Sequence, residues 1–220
     1  MLSIFPLSPQ LISVHIPKTA GSTFHAVLAH HFGWQLKHLQ HRAAFGLWNN
    51  GQPYRCNKPF VKAVHGHIIP HQNWHAQYPK AKWICWLRDP VDRLVSAYHH
   101  LEKTQDLGND PNQRAFKAMQ PDMITYAQHE AFRASSRAYQ RVLGHCTPND
   151  FAFVGRTEHF AEDLRRFESV FGLQRFDPER QNVGDRKQPI DDQLRETLAT
   201  ELAGEYDIYN TFLKFNDHGD

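Results

Sequence analysis

Cysteine is scarce in these 220 residues: Cys56, Cys85 and Cys146 form no CxxC and no close pair. An odd number without metal-type spacing excludes a disulfide framework and a zinc ribbon, and points to a reducing compartment. Charge of one sign is equally scarce. Lys and Arg number 25 against 23 Asp and Glu, a formal net charge of +2. No strong field is available for nucleic acid or an acidic membrane, so any anion site has to be local. No stretch approaches the roughly 20 apolar residues that span a bilayer. The start of the chain lacks a basic n-region, and Pro6 and Pro9 interrupt its apolar run, so it does not read as a signal peptide. Internal repeats, low-complexity tracts and linker compositions are also missing. The expectation is one cytoplasmic domain over residues 1–220, with a core from about 11 to 213, no membrane span and no nucleic-acid partner.

What is present is a globular composition, 40% apolar and 22% charged, and an unusual 16 histidines. Their protonation adds positive charge below roughly pH 6.5. Leu11 to Ile16, Val61 to His65, Lys82 to Leu87 and Phe151 to Val154 read as four short buried strands. Thr23 to Phe32 reads as a helix stopped by Gly33. Asp89 is an N-cap with Pro90 at the first helical position, and Val91, Leu94, Val95, Tyr98 and Leu101 keep helical spacing to about Lys103. Residues 106–122, polar with two prolines, read as a loop or lid, and 123–143 as one helix. Thr157 is the expected cap of a helix over 158–171 ending at Gly172. Residues 176–189 read as irregular, and 191–213 as helical, in two pieces around Gly204. Strands alternating with helices predict an α/β fold with a mostly parallel sheet and helices on both faces. In such sheets ligands bind beyond the carboxyl ends of the strands. That places the loops after Ile16, His65 and Leu87 on one rim.

The first of these loops runs His15-Ile16-Pro17-Lys18-Thr19-Ala20-Gly21-Ser22-Thr23-Phe24. A helix start exposes free N–H groups and partial positive charge, which suits phosphate or sulfate. Gly21 lets the backbone approach an anion, Ser22 and Thr23 add hydroxyls, and Lys18 adds a full charge. GxxxxGK[ST] is absent and Lys18 precedes the glycine, which disfavours a nucleoside triphosphate kinase. An ordinary strand–turn–helix with a surface lysine would look the same in this segment alone. The second run is Leu87-Arg88-Asp89-Pro90-Val91-Asp92-Arg93-Leu94-Val95-Ser96-Ala97-Tyr98. Arg88 ends a strand, and Ser96 lies about two helical turns on, so a guanidinium fork and a hydroxyl can serve one terminal phosphate. The competing reading is an Arg88–Asp89 salt bridge that caps a core helix.

Together, in this order, the two runs resemble the PAPS-dependent sulfotransferases, in the branch that contains the carbohydrate enzymes. PAPS is 3′-phosphoadenosine 5′-phosphosulfate. Val154-Gly155-Arg156-Thr157-Glu158 is similar to a late segment of the same family, so the likeness extends from about Leu11 to Phe212. It implies a P-loop-kinase-like three-layer fold. It also implies a loop of Lys18, Thr19, Ala20, Gly21, Ser22 and Thr23 on the 5′-phosphosulfate, with Lys18 at the bridging oxygen. Arg88 and Ser96 then hold the 3′-phosphate, PAP is the product, and no metal is required. The family's late basic phosphate loop is echoed only by Arg186 and Lys187. The chain is shorter than the vertebrate Golgi members and is expected to have no anchor, a departure from them that puts their polysaccharide substrates in doubt.

Sulfuryl transfer to an alcohol needs a base near pH 7. Val64-His65-Gly66-His67-Ile68 is similar to the His-Gly-His of uronyl 2-O-sulfotransferases, where the histidines serve catalysis. His67, further out, is the favoured base, with His65 as orienter or second candidate. His71-x-x-x-His75 has metal-type spacing but no carboxylate and no HExxH, so no metal site is assigned. The acceptor is expected to be a carbohydrate or small hydroxylated molecule. Trp34, Trp48, Tyr54 and Trp74 are candidate sugar-stacking residues, with core or surface packing as the blander account. A PAP- or PAPS-binding module without catalysis, and a nucleotide kinase on the related fold, are the alternatives.

Overall fold

The computed structural model describes residues 9–39, 60–70, 72–104, 110–178 and 190–216. Five strands form the sheet: β1 (Leu11–Val14), β2 (Leu36–Leu39), β3 (Ala63–Gly66), β4 (Lys82–Leu87) and β5 (Phe153–Arg156). Their order is β2-β3-β1-β4-β5 and every pairing is parallel. Val14 pairs with Gly66 and with Cys85, and Leu87 pairs with Arg156. The loops that leave β1, β3, β4 and β5 therefore share one edge.

Alternate side chains of the strands feed two cores, which explains why the strands read as unbroken apolar runs. Leu11, Ala63, Ile84, Trp86 and Phe153 pack on α1 (Gly21–Phe32) and α8 (Phe160–Val170) through Phe24, Val27, Leu28, Leu164 and Phe167. Ile12, Val14, Val64, Cys85, Leu87 and Val154 pack on the opposite side. There they meet Trp74 of α2 (Gln72–Gln77), Tyr139 of α7 (Ala138–Leu143) and Phe212 of α10 (Ala203–Asn216). A third cluster joins α3 (Pro90–Lys103), α4 (Pro111–Met119), α5 (Met123–Gln128) and α9 (Asp192–Glu201). Among the described residues no helix is long and apolar enough to cross a membrane.

Several expectations need correction. The sheet has a further strand, β2, whose Leu-Lys-His-Leu carries two polar residues and so lacked an apolar run. Residues 111–119, expected within a loop or lid, form α4: Asp110 Oδ1 accepts from the Asn112 N–H at 2.9 Å, and Pro111 opens the helix rather than breaking it. The expected cap Thr157 instead donates its hydroxyl to the Leu87 carbonyl at 2.8 Å, and α8 begins at Phe160 after His159. The C-terminal break falls at Leu202 rather than Gly204.

The single helix expected over 123–143 is divided into α5, a 3-10 turn at Glu130–Phe132, α6 (Arg133–Ser136) and α7. The last division has a clear cause. In a continuous helix the N–H groups of Tyr139 and Gln140 would return to the carbonyls of Ser135 and Ser136. Here they donate to Glu205 Oε2 and Oε1 of α10, at 2.9 and 2.8 Å. The two carbonyls accept instead from Arg93 of α3, at 3.0 and 2.8 Å. Arg93 and Glu205 are themselves 3.7 Å apart and fully buried. Arg93→Ala would strand the Glu205 carboxylate in the core, so a loss of about 3–5 kcal/mol is expected. Urea unfolding at neutral pH checks this; an unchanged midpoint would remove the pair from any structural role.

Candidate active site

The β1–α1 loop is tied down at both ends. The His15 N–H donates to the Gly66 carbonyl at 2.7 Å, and the buried Thr19 hydroxyl donates to the Ile16 carbonyl at 2.8 Å. Between these ties Lys18 and Ala20 adopt left-handed conformations, φ 72° and 59°. Neither is glycine, and each such residue costs about 1–2 kcal/mol. Strain of this kind concentrates where a loop has to aim its main chain, and alternating handedness makes N–H concavities for anions. Helix α1 then starts at Gly21 without a side-chain cap, its Ser22 exposed and its Thr23 buried.

Arg88 sits at the end of β4 with its main chain clamped by one phenol. Its N–H donates to the Tyr139 hydroxyl at 2.8 Å, and that hydroxyl donates to its carbonyl at 2.5 Å. Asp89 does not pair with Arg88. Its Oδ1 caps the Asp92 N–H at 3.0 Å, its Oδ2 accepts from the Tyr206 hydroxyl at 2.8 Å, and Arg195 lies 3.6 Å away. Its own N–H goes to Glu158 Oε1 at 2.8 Å. Among the described residues the Arg88 guanidinium has no acidic partner, so the capping salt bridge is not formed. Its charged neighbour is instead Lys18: burial first, and then the Arg88 guanidinium, push the Lys18 ammonium below its ordinary value. Two mutually repelling cations without a carboxylate partner among the described residues are an arrangement that an anion relieves. Ser96 lies half-buried on α3, one turn beyond Asp92.

The end of β3 brings histidines to the same rim. His65 is buried with Nδ1 2.9 Å from the Ser13 hydroxyl. His67 is half-buried, and its Nδ1 lies 3.0 Å from the His15 carbonyl. A carbonyl only accepts, so the neutral ring carries its proton on Nδ1 and its lone pair on Nε2. Burial chiefly, and Arg141 secondarily, depress the His67 pKa, while the His15 carbonyl opposes them. The imidazole is therefore neutral at pH 7. Gly66 is required at this point because a Cβ there would meet the Leu39 carbonyl oxygen at 2.3 Å.

The sequence profile of the sulfotransferase family matches residues 6–205. The chain belongs to that family. This sulfotransferase shares its fold with the crystal structure of a sulfotransferase from Alicyclobacillus acidocaldarius, at 20% identity and a TM-score of 0.50, covering 91% of this chain and 93% of that one. Mouse sulfotransferase SULT7A1, complexed with PAP, aligns at 12% identity and a TM-score of 0.48, over 95% of this chain and 85% of that one. No curated protein sequence matches the chain.

At this rim Lys18 is within electrostatic reach of Arg88, and His67 lies beside the carbonyl that opens the same loop. Arg186, Lys187, Trp48 and Tyr54 lie outside the described residues. Trp74 is buried in the core, so it is unavailable for acceptor stacking, whereas Trp34 is 75% exposed. Two motif residues have packing roles: Arg93 as above, and Tyr98, which donates to the Pro121 carbonyl at 2.9 Å. The residues missed from sequence are Tyr139, Glu158 and His15, each of which acts across a long separation that no local pattern encodes. Among the described residues no group of three or more His, Cys, Asp and Glu is arranged to hold a metal ion.

The buried histidines make acid stability a test of the site. Burial holds His15 and His65 well below the ordinary histidine pKa, and burial with His25 and His67 pushes His38 down to about 4. In the unfolded chain all three titrate near 6.5. Above that pH neither state binds these protons and the contribution to stability is complete. Below it the unfolded chain takes up protons that the folded chain excludes, at about 1.4 kcal/mol per pH unit for each. The melting temperature is expected to fall steadily from pH 6.5 towards pH 5, ahead of carboxylate titration. A flat profile there would show that the histidines are protonated in the folded protein.

Proposed function

We propose that this sulfotransferase takes PAPS as donor and transfers its sulfuryl group, by in-line displacement, to a hydroxyl of a carbohydrate or small-molecule acceptor. The observation that supports the reading is the β1–α1 loop, in which left-handed Lys18 and Ala20 lead into an uncapped helix start, with Lys18 repelled by an Arg88 that has no acidic partner among the described residues. PAPS, when bound, supplies a sulfuryl group on a phosphate leaving group and a 3′-phosphate as a handle. Lys18 and the main chain of Thr19 to Thr23 would hold the 5′ end and stabilise charge on the departing phosphate oxygen. Arg88 and Ser96 would hold the 3′-phosphate, and Arg186 and Lys187 are assigned to the same nucleotide. The sulfuryl group carries less charge than a phosphoryl group, so this reading invokes no metal.

On the acceptor side, His67 takes the hydroxyl proton at Nε2, since Nδ1–H is engaged by the His15 carbonyl. His65, buried behind it against Ser13, is the orienter or the second candidate. The pattern His65-Gly66-His67 supports a placement near the uronyl 2-O-sulfotransferases. The free thiols of Cys85 and Cys146 agree with a cytoplasmic setting.

PAP is expected to raise the melting temperature in a concentration-dependent way and ATP to do less, because ATP lacks the 3′-phosphate assigned to Arg88 and Ser96. Equal shifts would contradict the donor assignment. Lys18→Ala should lower kcat by on the order of 10²–10³ in a radiolabelled transfer assay, with a smaller effect on PAP binding.

His67→Ala should leave the PAP-induced shift intact and lower transfer by roughly 10²–10⁴. In the native enzyme kcat/KM should fall on acidification with a midpoint below 6.5, because burial depresses the His67 pKa and only the neutral ring accepts a proton. That limb should be absent in the variant; its persistence would move the role to His65 or another group.

A further inference from the structure

The His67 ring is not held by its own strand. Strand β3 ends at Gly66, which has no side chain to brace it. The brace comes from β1 and its loop. The rings of His67 and His15 are stacked with centroids 4.4 Å apart and planes 20° apart. The His15 ring is also stacked on His65, with centroids 5.2 Å apart and planes 14° apart. His15 thus stacks on both histidines of the His-Gly-His run. The same ring abuts the start of α1: a Cβ on Gly21 would lie 1.8 Å from His15 Nε2. Its Nδ1 is shielded from solvent and finds no hydrogen-bond partner among the described residues, so the ring is placed for its shape rather than for a bond. The His65 ring is also near the tilted rings of His38 at 5.3 Å and His25 at 5.9 Å, which are themselves stacked 3.9 Å apart.

We propose that His15 is a positioning residue for sulfuryl transfer, its imidazole fixing the His67 ring relative to the start of α1 so that base and donor loop form one rigid unit. The proposal rests on the reading of His67 as base. The hydrogen bond from Nδ1 fixes one point of the ring, and a second ring lying face-on restrains its rotation about that bond. Proton transfer is sensitive to such alignment, and a displacement near 1 Å costs about 100-fold. The charged and titratable groups around this pair are Lys18 on the loop, His25 on α1, His38 on β2, His65 on β3 and Arg141 on α7. These described neighbours are all bases, so none of them draws a proton onto His67, and the His15 ring covers one face of it.

The test compares His15→Ala and His15→Phe with the native chain. Three quantities are read: the PAP-induced thermal shift, kcat for transfer, and the acidic limb of kcat/KM alongside the His67 titration followed by NMR. His15→Ala is expected to keep the PAP shift, to lose about 10- to 100-fold in kcat, and to move the limb and the His67 titration up towards pH 6.5 as water reaches the ring. His15→Phe keeps a flat ring and should restore the low titration and most of kcat. If His15→Ala lowers only the melting temperature, with kcat and the His67 titration unchanged, His15 is a packing residue and the proposal fails. If His67→Ala transfers sulfate at the native rate, the base reading fails and this one with it. A normal loss in His67→Ala with native kcat in His15→Ala overturns the positioning role alone.

Discussion

The buried Arg93–Glu205 pair is the interaction on which the arrangement of the β4 end of the rim depends. It enters a helix ladder at the α6–α7 junction and takes over both halves of it: the carbonyls go to the guanidinium and the N–H groups to the carboxylate. The chain turns there, and α7 sets Tyr139 against the end of β4, where its hydroxyl holds both main-chain groups of Arg88. Three segments distant in sequence thus share one dry electrostatic contact. Its net contribution to stability is small if both partners are replaced together, but large if one is removed. Its value is geometric, because it decides where the Arg88 side chain leaves the sheet.

The rim works by contrast between paired and unpaired charge. Asp89, Asp92, Asp163 and Glu158 are engaged by Arg195, Tyr206, Arg156 or main-chain N–H groups. With the acids so occupied, the Lys18 and Arg88 charges are left to act on each other. Burial of Lys18 beside another cation is unfavourable, as are the two left-handed residues in its loop. Both costs are compensated by the ties of His15 and Thr19 and by the apolar packing of α1. An anion would relieve the first directly, which is the physical basis for reading this rim as a donor site.

The histidine stack shows how a cluster that is hard to explain from composition becomes intelligible in three dimensions. His15, His65 and His67 lie on adjacent parallel strands or just beyond them, so their rings can only stack face to face. Burial keeps them neutral. A neutral stack is dense, flat and rotationally rigid, at the cost of acid lability.

The sequence alone determined the parallel α/β architecture, the two strand–loop–helix runs and their common rim, because these follow from local apolar runs, capping chemistry and strand–helix alternation. Asp89 as a cap and Pro90 at the first helical position are legible for the same reason: the forces act within a few residues. The sequence also named Lys18, Arg88 and His67 without establishing that they approach one another. Only the tertiary structure decided that Lys18 comes within electrostatic reach of Arg88, that Asp89 is taken by Tyr206 and Arg195, and that His15 stacks on both His65 and His67. It also decided that β2 joins the sheet and that the helix expected over 123–143 breaks at Arg137. Each of these depends on a partner many residues away: β3 for β2, and Arg93 with Glu205 for the break. Local propensity carries no information about which distant side chain will satisfy a buried N–H or carbonyl, so that choice appears only when the chain is packed.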